Sequence, residues 1–330
     1  MFVSVVIPCY RSAATLPALS ARLHEVLPGA VDDFEIILVV DGGEASTGAT
    51  ATDLARRSTH LRAIRLSRNY GQHNALIAGV RAARGDVIVT MDDDLQHRPD
   101  QIPALLRALT DDVDLVYGVA AVEEHGTIRN LASRTAKTTL ERMLKIPGAR
   151  QLSAFRAFRT FLRDGFTGLS GPRACLDVAL SWSTTQVTAV PVRMDVRAHG
   201  KSNYTVRMLF RHMVNMVLGY STTPLRMVTY LGFLIGFLGL ALLGQMLWRY
   251  VAGETTVEGF TTIASMVALF SAAQMIAVGV LGEYLGRIHA SGLGMPTYVI
   301  RPAEPPPATR TAATPIESMN VEVLAGTGPR

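Results

Sequence analysis

Two long stretches without a single charged residue constrain this chain more than any other feature. Residues 227–248 form a run of 22 and residues 259–282 a run of 24, rich in Leu, Gly, Phe, Ile and Met. About 20 apolar residues of helix cross a bilayer core, so each run is long enough to span. Buried helices of soluble proteins rarely reach that length without a charge. The expectation is a hairpin of two transmembrane helices, about 227–250 and 259–284, joined by residues 249–258. Both outer ends then lie on one side. Arg207, Arg211 and Arg226 precede the first span, Arg287, His289 and Arg301 follow the second, and the loop offers Arg249 against Glu254 and Glu258. The positive-inside rule therefore expects the N-terminal part and the C-terminal tail in the cytoplasm, with the chain in the cell (inner) membrane. Residues 2–7 are too short and lack the basic flank of a secretory leader. Residues 291–330 are read as a tail, disordered beyond about 302, where Pro, Ala and Thr dominate without periodicity.

Composition agrees with a membrane chain. Among 330 residues 48% are hydrophobic and 18% charged, whereas about 25% is the usual charged share of a globular domain. The net charge of +5 suits a membrane surface, a phosphorylated ligand or nucleic acid equally well. Cys9 and Cys175 cannot build a disulfide framework, and no Cys/His spacing reads as a zinc motif.

Residues 1–203 read as one α/β domain. Apolar runs at 3–8, 34–40, 63–66 and 86–91 alternate with helical patterns at 16–27, 52–57 and 73–84. Continuous apolar strands between amphipathic helices indicate a mostly parallel, doubly wound sheet, which binds ligands beyond the carboxyl ends of its strands. Those ends carry Asp41-Gly42-Gly43, Ser67-Arg68-Asn69 and Asp92-Asp93-Asp94-Leu95-Gln96-His97. Neither a Gly-x-Gly-x-x-Gly nor a Walker-type Gly-Lys-Thr is present, against a dinucleotide dehydrogenase and a P-loop NTPase.

Three adjacent carboxylates at the end of a buried strand repel one another unless a cation binds there. A hard divalent ion, Mg²⁺ or Mn²⁺, takes such oxygen ligands together with substrate phosphate. In an extended segment Asp92 and Asp94 point one way and Asp93 the other, and Gln96 continues the alternation with a neutral oxygen. The plainer alternative is a solvated acidic turn, with Asp94 or Asp100 capping a helix that begins near Gln101. Placement directly after an apolar strand favours the metal.

Residues 5–10 (Val-Val-Ile-Pro-Cys-Tyr), 35–42 (Glu-Ile-Ile-Leu-Val-Val-Asp-Gly), 66–72 (Leu-Ser-Arg-Asn-Tyr-Gly-Gln) and 91–97 resemble the successive motifs of family 2 glycosyltransferases. Within that family the likeness is to the polyprenyl-phosphate branch, dolichol-phosphate mannose synthases and bacterial undecaprenyl-phosphate sugar transferases. Residues 199–204 (His-Gly-Lys-Ser-Asn-Tyr) and 221–226 (Ser-Thr-Thr-Pro-Leu-Arg) resemble its late motifs before two spans. The resemblance implies a GT-A catalytic domain that moves a sugar, with inversion, from a nucleotide-diphosphate donor to undecaprenyl or decaprenyl phosphate. Family habit favours UDP as the carrier. The family's Asp-x-Asp falls on Asp92 and Asp94, with Gln96 beside them, as metal and diphosphate ligands. Pro8, Tyr10, Asp41, Arg68, Asn69, Asp92 and Asp93 would hold the nucleotide sugar, Asp41 reading the base. Arg156, Arg197, Lys201 and Ser202 would hold the acceptor phosphate, and Asp94, Arg156 and Lys201 would be catalytic. Two departures stand out: Val40 replaces the first acid of Asp-Asp-Gly-Ser, and residues 154–159 (Ala-Phe-Arg-Ala-Phe-Arg) lack both acids of Asp-Phe-Arg-Leu-Leu-Asp.

The chemistry tolerates those losses. A phosphate monoester with a second pKa of about 6 is already anionic at neutral pH, so it attacks without a general base. Residues 204–220 place Val206, Phe210, Met213, Val214 and Val217 on one helical face, so residues 204–225 are expected as an interfacial helix and linker at the lipid headgroups, not as a nucleic-acid contact. Gly232, Gly236 and Gly239 permit close packing of spans between subunits, a dimer or a tetramer. Two rival readings remain. One is a transferase using a lipid or sugar hydroxyl, with Asp93, His97, Asp177 or Asp195 as base; the other is an inert membrane scaffold of the same fold.

Overall fold

The computed structural model describes residues 1–120, 152–169, 171, 174–195, 218–253 and 259–302. Arg197, Lys201, Ser202, interfacial residues 204–217, the loop acids Glu254 and Glu258 and the tail from 303 lie outside the described residues.

The apolar runs form the strands expected of them. β1 is Phe2–Cys9, β2 Asp33–Val40, β3 Leu61–Arg65 and β4 Val87–Thr90, followed by β5 Leu115–Ala120, β6 Arg156–Arg159 and β7 Val187–Val192. They make one seven-stranded sheet in the order β3-β2-β1-β4-β6-β5-β7. Every pairing is parallel except those of β6 with β4 and β5. The helices are α1 Leu16–Val26, α2 Ala45–Arg57, α3 Gln72–Ala82, α4 Ile102–Ala108 and α5 Leu176–Ser183. α2 begins seven residues before the expected 52, because its Ala, Ser, Thr and Gly lack an apolar stripe.

The period of two within each strand divides the core. Val3, Val5 and Ile7 pack with Leu16, Leu19 and Leu23 of α1 and Ile102 and Leu105 of α4. Val6, Ile37 and Val39 pack with α3 and with Leu176, Ala179 and Leu180 of α5 on the other face. α3 lies flush on the sheet at Gly79, where a Cβ would stand 2.3 Å from Val6 Cγ1 and 2.9 Å from Val39 Cγ2.

Two long helices follow, α6 Thr223–Val251 and α7 Phe260–Gly292. The windows Thr223–Gln245 and Leu269–Gly292 are long and apolar enough to cross a membrane, with mean hydropathies of 2.1 and 1.3 and no buried residues. Phe233 is 73% and Trp248 77% exposed, so these are not core helices of a soluble protein. Tyr284 Oη donates to the Ser221 carbonyl at 2.7 Å, joining the end of α7 to the start of α6.

The chain after α7 returns to the sheet. Ser67 N donates to Val299 O at 2.9 Å and Arg301 N to Arg65 O at 2.7 Å, with an antiparallel bridge between Leu66 and Ile300. Thr297 is buried, and the Arg81 guanidinium lies 5.8 Å from the centre of the Tyr298 ring. This strap pairs with the carboxyl end of β3 and the two residues after it, on the open edge of the sheet. Its position brings the far end of α7 next to the α/β domain.

Gly79→Val is expected to lower stability by about 1–3 kcal/mol through overpacking against Val6; an unchanged thermal midpoint would contradict the flush packing. Removing residues 297–330 should speed hydrogen exchange at the Ser67 amide about tenfold, the loss of one backbone hydrogen bond. Unaltered exchange there would show that the strap does not hold this edge.

Candidate active site

Chain direction fixes where a ligand fits. β2 and β3 lie on one side of β1 and β4 on the other, so the strand order reverses between β1 and β4. A cavity of about 450 Å³ opens at the carboxyl ends there, lined by Pro8 near the end of β1 and Tyr10 after it, Asp41 after β2, Asn69, Gly71 and Gln72 before and at α3, and Asp92, Asp93 and Asp94 after β4. This is the crevice in which open α/β sheets bind ligands.

The acidic segment is not extended. Leu95 takes a left-handed φ of 64°, and the chain bends through Asp93–Leu95. Alternation between faces therefore fails, and all three carboxylates line the one cavity. Each is held separately. Asp92 Oδ1 accepts from Gln72 Nε2 at 2.6 Å, Asp93 Oδ2 from Tyr10 N at 3.1 Å, and Asp94 Oδ1 from Gln96 N at 3.0 Å. The same bend takes Gln96 out of the cavity lining; its carbonyl accepts from Asp195 N at 2.9 Å.

Burial pushes the Asp93 carboxyl up to about 6 against the pull of Ser12 and the Tyr10 N–H, and the charges of Asp92 and Asp94 push the same way. His97 shows the opposite shift. It is buried and stacked on Phe155 at 5.2 Å, and burial lowers it to about 4. Its Nδ1 accepts from Asp92 N at 3.0 Å, which fixes the neutral tautomer with the proton on Nε2. His97 is thus a neutral brace under Asp92.

Asp41 is buried, and its two oxygens accept from Tyr70 N at 2.7 Å and Gly71 N at 2.8 Å. Burial raises its pKa and these two bonds oppose the rise. Gly42 follows with φ +62°, and a Cβ there would fall 2.4 Å from Asn69 N, so only glycine lets the β2 turn pack on the Arg68-Asn69 loop. Asn69 lines the cavity; Arg68 does not, its Cζ lying 4.7 Å over the Tyr70 ring.

Arg156 departs most from expectation. It is 1% exposed on β6, outside the cavity lining. Its Nε donates to Thr90 Oγ1 at 3.1 Å and its Nη1 to Asp177 Oδ1. The guanidinium is thus enclosed between an aspartate and a threonine of the fold and does not line the cavity. Sequence reasoning gave Gln72 and His97 no role at Asp92, although both fall inside the quoted motifs. It gave no sign of the Arg156–Asp177 pair, whose members come from separate elements.

Asp93 and His97 oppose each other in acid. Asp93 titrates near 6 when folded against an ordinary 3.8, so it withdraws stability as pH rises through that interval. His97 titrates near 4 against 6.5, so its contribution is complete above 6.5 and lost as pH falls toward 4. In chelator, Asp93→Asn should stabilise the protein at pH 7 by about 1–2 kcal/mol and steepen the loss between pH 6.5 and 4. Parallel thermal-midpoint profiles for variant and parent would contradict this pairing.

Known proteins place the chain. The model of the family described as Glycosyl transferase family 2 matches residues 4–166. Undecaprenyl-phosphate 4-deoxy-4-formamido-L-arabinose transferase of Sodalis glossinidius is 32% identical over 302 residues, 91% of this chain and 93% of that protein. The protein of the same name from Pectobacterium carotovorum is 32% identical over 317 residues, 95% of both chains. Glucosyl-3-phosphoglycerate synthase from Mycobacterium tuberculosis, solved with Mn²⁺, uridine diphosphate and glucosyl-3-phosphoglycerate, is 21% identical with a TM-score of 0.49, covering 67% of this chain and 80% of that one. With relatives at this identity matching along nearly its whole length, the chain belongs to glycosyltransferase family 2.

Proposed function

We propose that this chain transfers a sugar, with inversion, from a nucleotide-diphosphate donor to polyprenyl phosphate at the cytoplasmic face of the inner membrane. One observation carries the reading: three carboxylates share a cavity with Asp41 and Asn69 at the point where the strand order reverses. The names of the relatives support polyprenyl phosphate as acceptor, and the two apolar helices support a membrane site. Family habit favours a UDP-sugar.

The donor set fits a hard divalent ion, Mg²⁺ or Mn²⁺. Its ligands would be Asp92 and Asp94, carboxylates lining the one cavity, and such an ion would relieve the repulsion that these two charges add to the burial already raising Asp93. When bound, the ion neutralises charge on the departing diphosphate. Gln72 and His97 hold Asp92 in place through its side chain and backbone. Tyr10, Pro8, Asn69 and Asp41 form the walls against which nucleotide and sugar are positioned. Arg197, Lys201 and Ser202 are the proposed acceptor contacts, and Arg156 acts through Asp177. The acceptor oxygen is an anion, so no general base is required. In-line placement and charge stabilisation supply the rate.

Asp92→Asn or Asp94→Asn should reduce transfer about a hundredfold or more in membranes given labelled nucleotide sugars, undecaprenyl phosphate and Mn²⁺. Full activity in either variant contradicts the metal assignment. Product on a hydroxyl acceptor would favour the rival transferase, and no turnover with any donor would favour an inert scaffold.

A further inference from the structure

His73, Cys175 and Asp177 are too far apart in sequence to form a motif, yet the fold brings them to one point. His73 is the second residue of α3, Cys175 caps α5, and Asp177 is the second residue of α5. Cys175 Sγ lies 3.8 Å from His73 Nε2, and His73 Nδ1 lies 4.0 Å from Asp177 Oδ2. One ligand atom from each lies within 4.8 Å of the others. Cys175 is 4% exposed, and the side chains of His73 and Asp177 are 29% and 14% exposed.

We propose that these three side chains bind a thiophilic divalent ion of tetrahedral preference, Zn²⁺ above others, at a site separate from the carboxylates of the donor cavity. Nitrogen, sulfur and oxygen donors together select zinc over the hard ions suited to Asp92 and Asp94. With ordinary zinc bond lengths, tetrahedral ligands stand about 3.3–3.6 Å apart. The ligand atoms, within 4.8 Å of one another, need to close by about an ångström to reach those distances. The supporting shell is built. Asp177 turns its other oxygen to Arg156, which Thr90 holds in turn, so the ligating oxygen has a fixed direction. Burial and the nearby Asp177 push the Cys175 thiol up to about 11, so the metal-free site holds a neutral thiol. On binding, the sulfur–metal bond forms as the thiol proton leaves to solvent, with no change of oxidation state.

The location gives such an ion a mechanical role. Gln72, which precedes His73, holds Asp92 of the donor cavity. Cys175 and Val178 pack with Tyr220, just before α6. An ion between α3 and α5 ties the cavity wall to the root of the first apolar helix.

Co²⁺ tests the site in chelator-stripped, full-length protein in detergent. The wild type should take up one Co²⁺ with a sulfur-to-cobalt charge-transfer band in the near ultraviolet, bleached by Zn²⁺. Cys175→Ser and His73→Ala should each abolish the band. Cys9→Ser and Asp92→Asn should retain it, separating this site from the donor cavity. No such band in the wild type, or a band that survives Cys175→Ser, overturns the proposal, and the wild-type measurement decides even if a variant fails to fold.

Discussion

Burial of acidic charge where β4 ends governs the functional end of this fold: burial raises Asp93, and the charges of Asp92 and Asp94 add to the rise. The strand that delivers them is fully buried, so the charges emerge at a boundary where water screens them only partly. The protein answers with three separate restraints, Gln72 on Asp92, the Tyr10 amide on Asp93 and the Gln96 amide on Asp94. A neutral His97 braces the backbone of Asp92 from beneath. The three residues line the cavity, as a cation-dependent diphosphate site requires, and Asp93 is ionised above about pH 6.

A second dependency runs from the sheet edge to the apolar helices. The strap at 299–301 pairs with Arg65 and Ser67, one residue before Arg68 and two before the cavity residue Asn69. The end of α7 is therefore mechanically close to the donor wall. Tyr220, near the start of α6, packs on Cys175. The α/β domain is gripped at both ends of the hairpin, which suits an enzyme that must hold its cavity at a fixed height over a lipid surface.

Much of this was legible in the sequence for reasons that can be named. β1, β2 and β4 are continuous apolar runs because parallel strands are covered on both faces, and the acids after them mark the ligand end. The apolar helices were legible because long uncharged runs have few other uses. α2 was half missed, since Ala45–Ala51 carries no periodic apolar face. β6 was unreadable as a strand, because an Arg stands at each end of four residues and its partners are non-local. The strap was equally hidden, being three paired residues next to a proline-rich tail. Within the site, the triplet's chemistry could be inferred but its shape could not: alternation presumes an extended chain, and Leu95 turns left-handed. Arg156 read as a free cation because its counterion sits 21 residues away on α5.

The central claim is that the carboxylate cluster after β4 holds a divalent ion jointly with a diphosphate. Electron paramagnetic resonance of Mn²⁺, titrated into full-length protein with and without uridine diphosphate, tests it most directly. Saturable Mn²⁺ binding that tightens when the nucleotide is present, and that vanishes when Asp92 and Asp94 are both replaced by Asn, is the predicted result. Mn²⁺ binding indifferent to the nucleotide, or unchanged in the double variant, would contradict it.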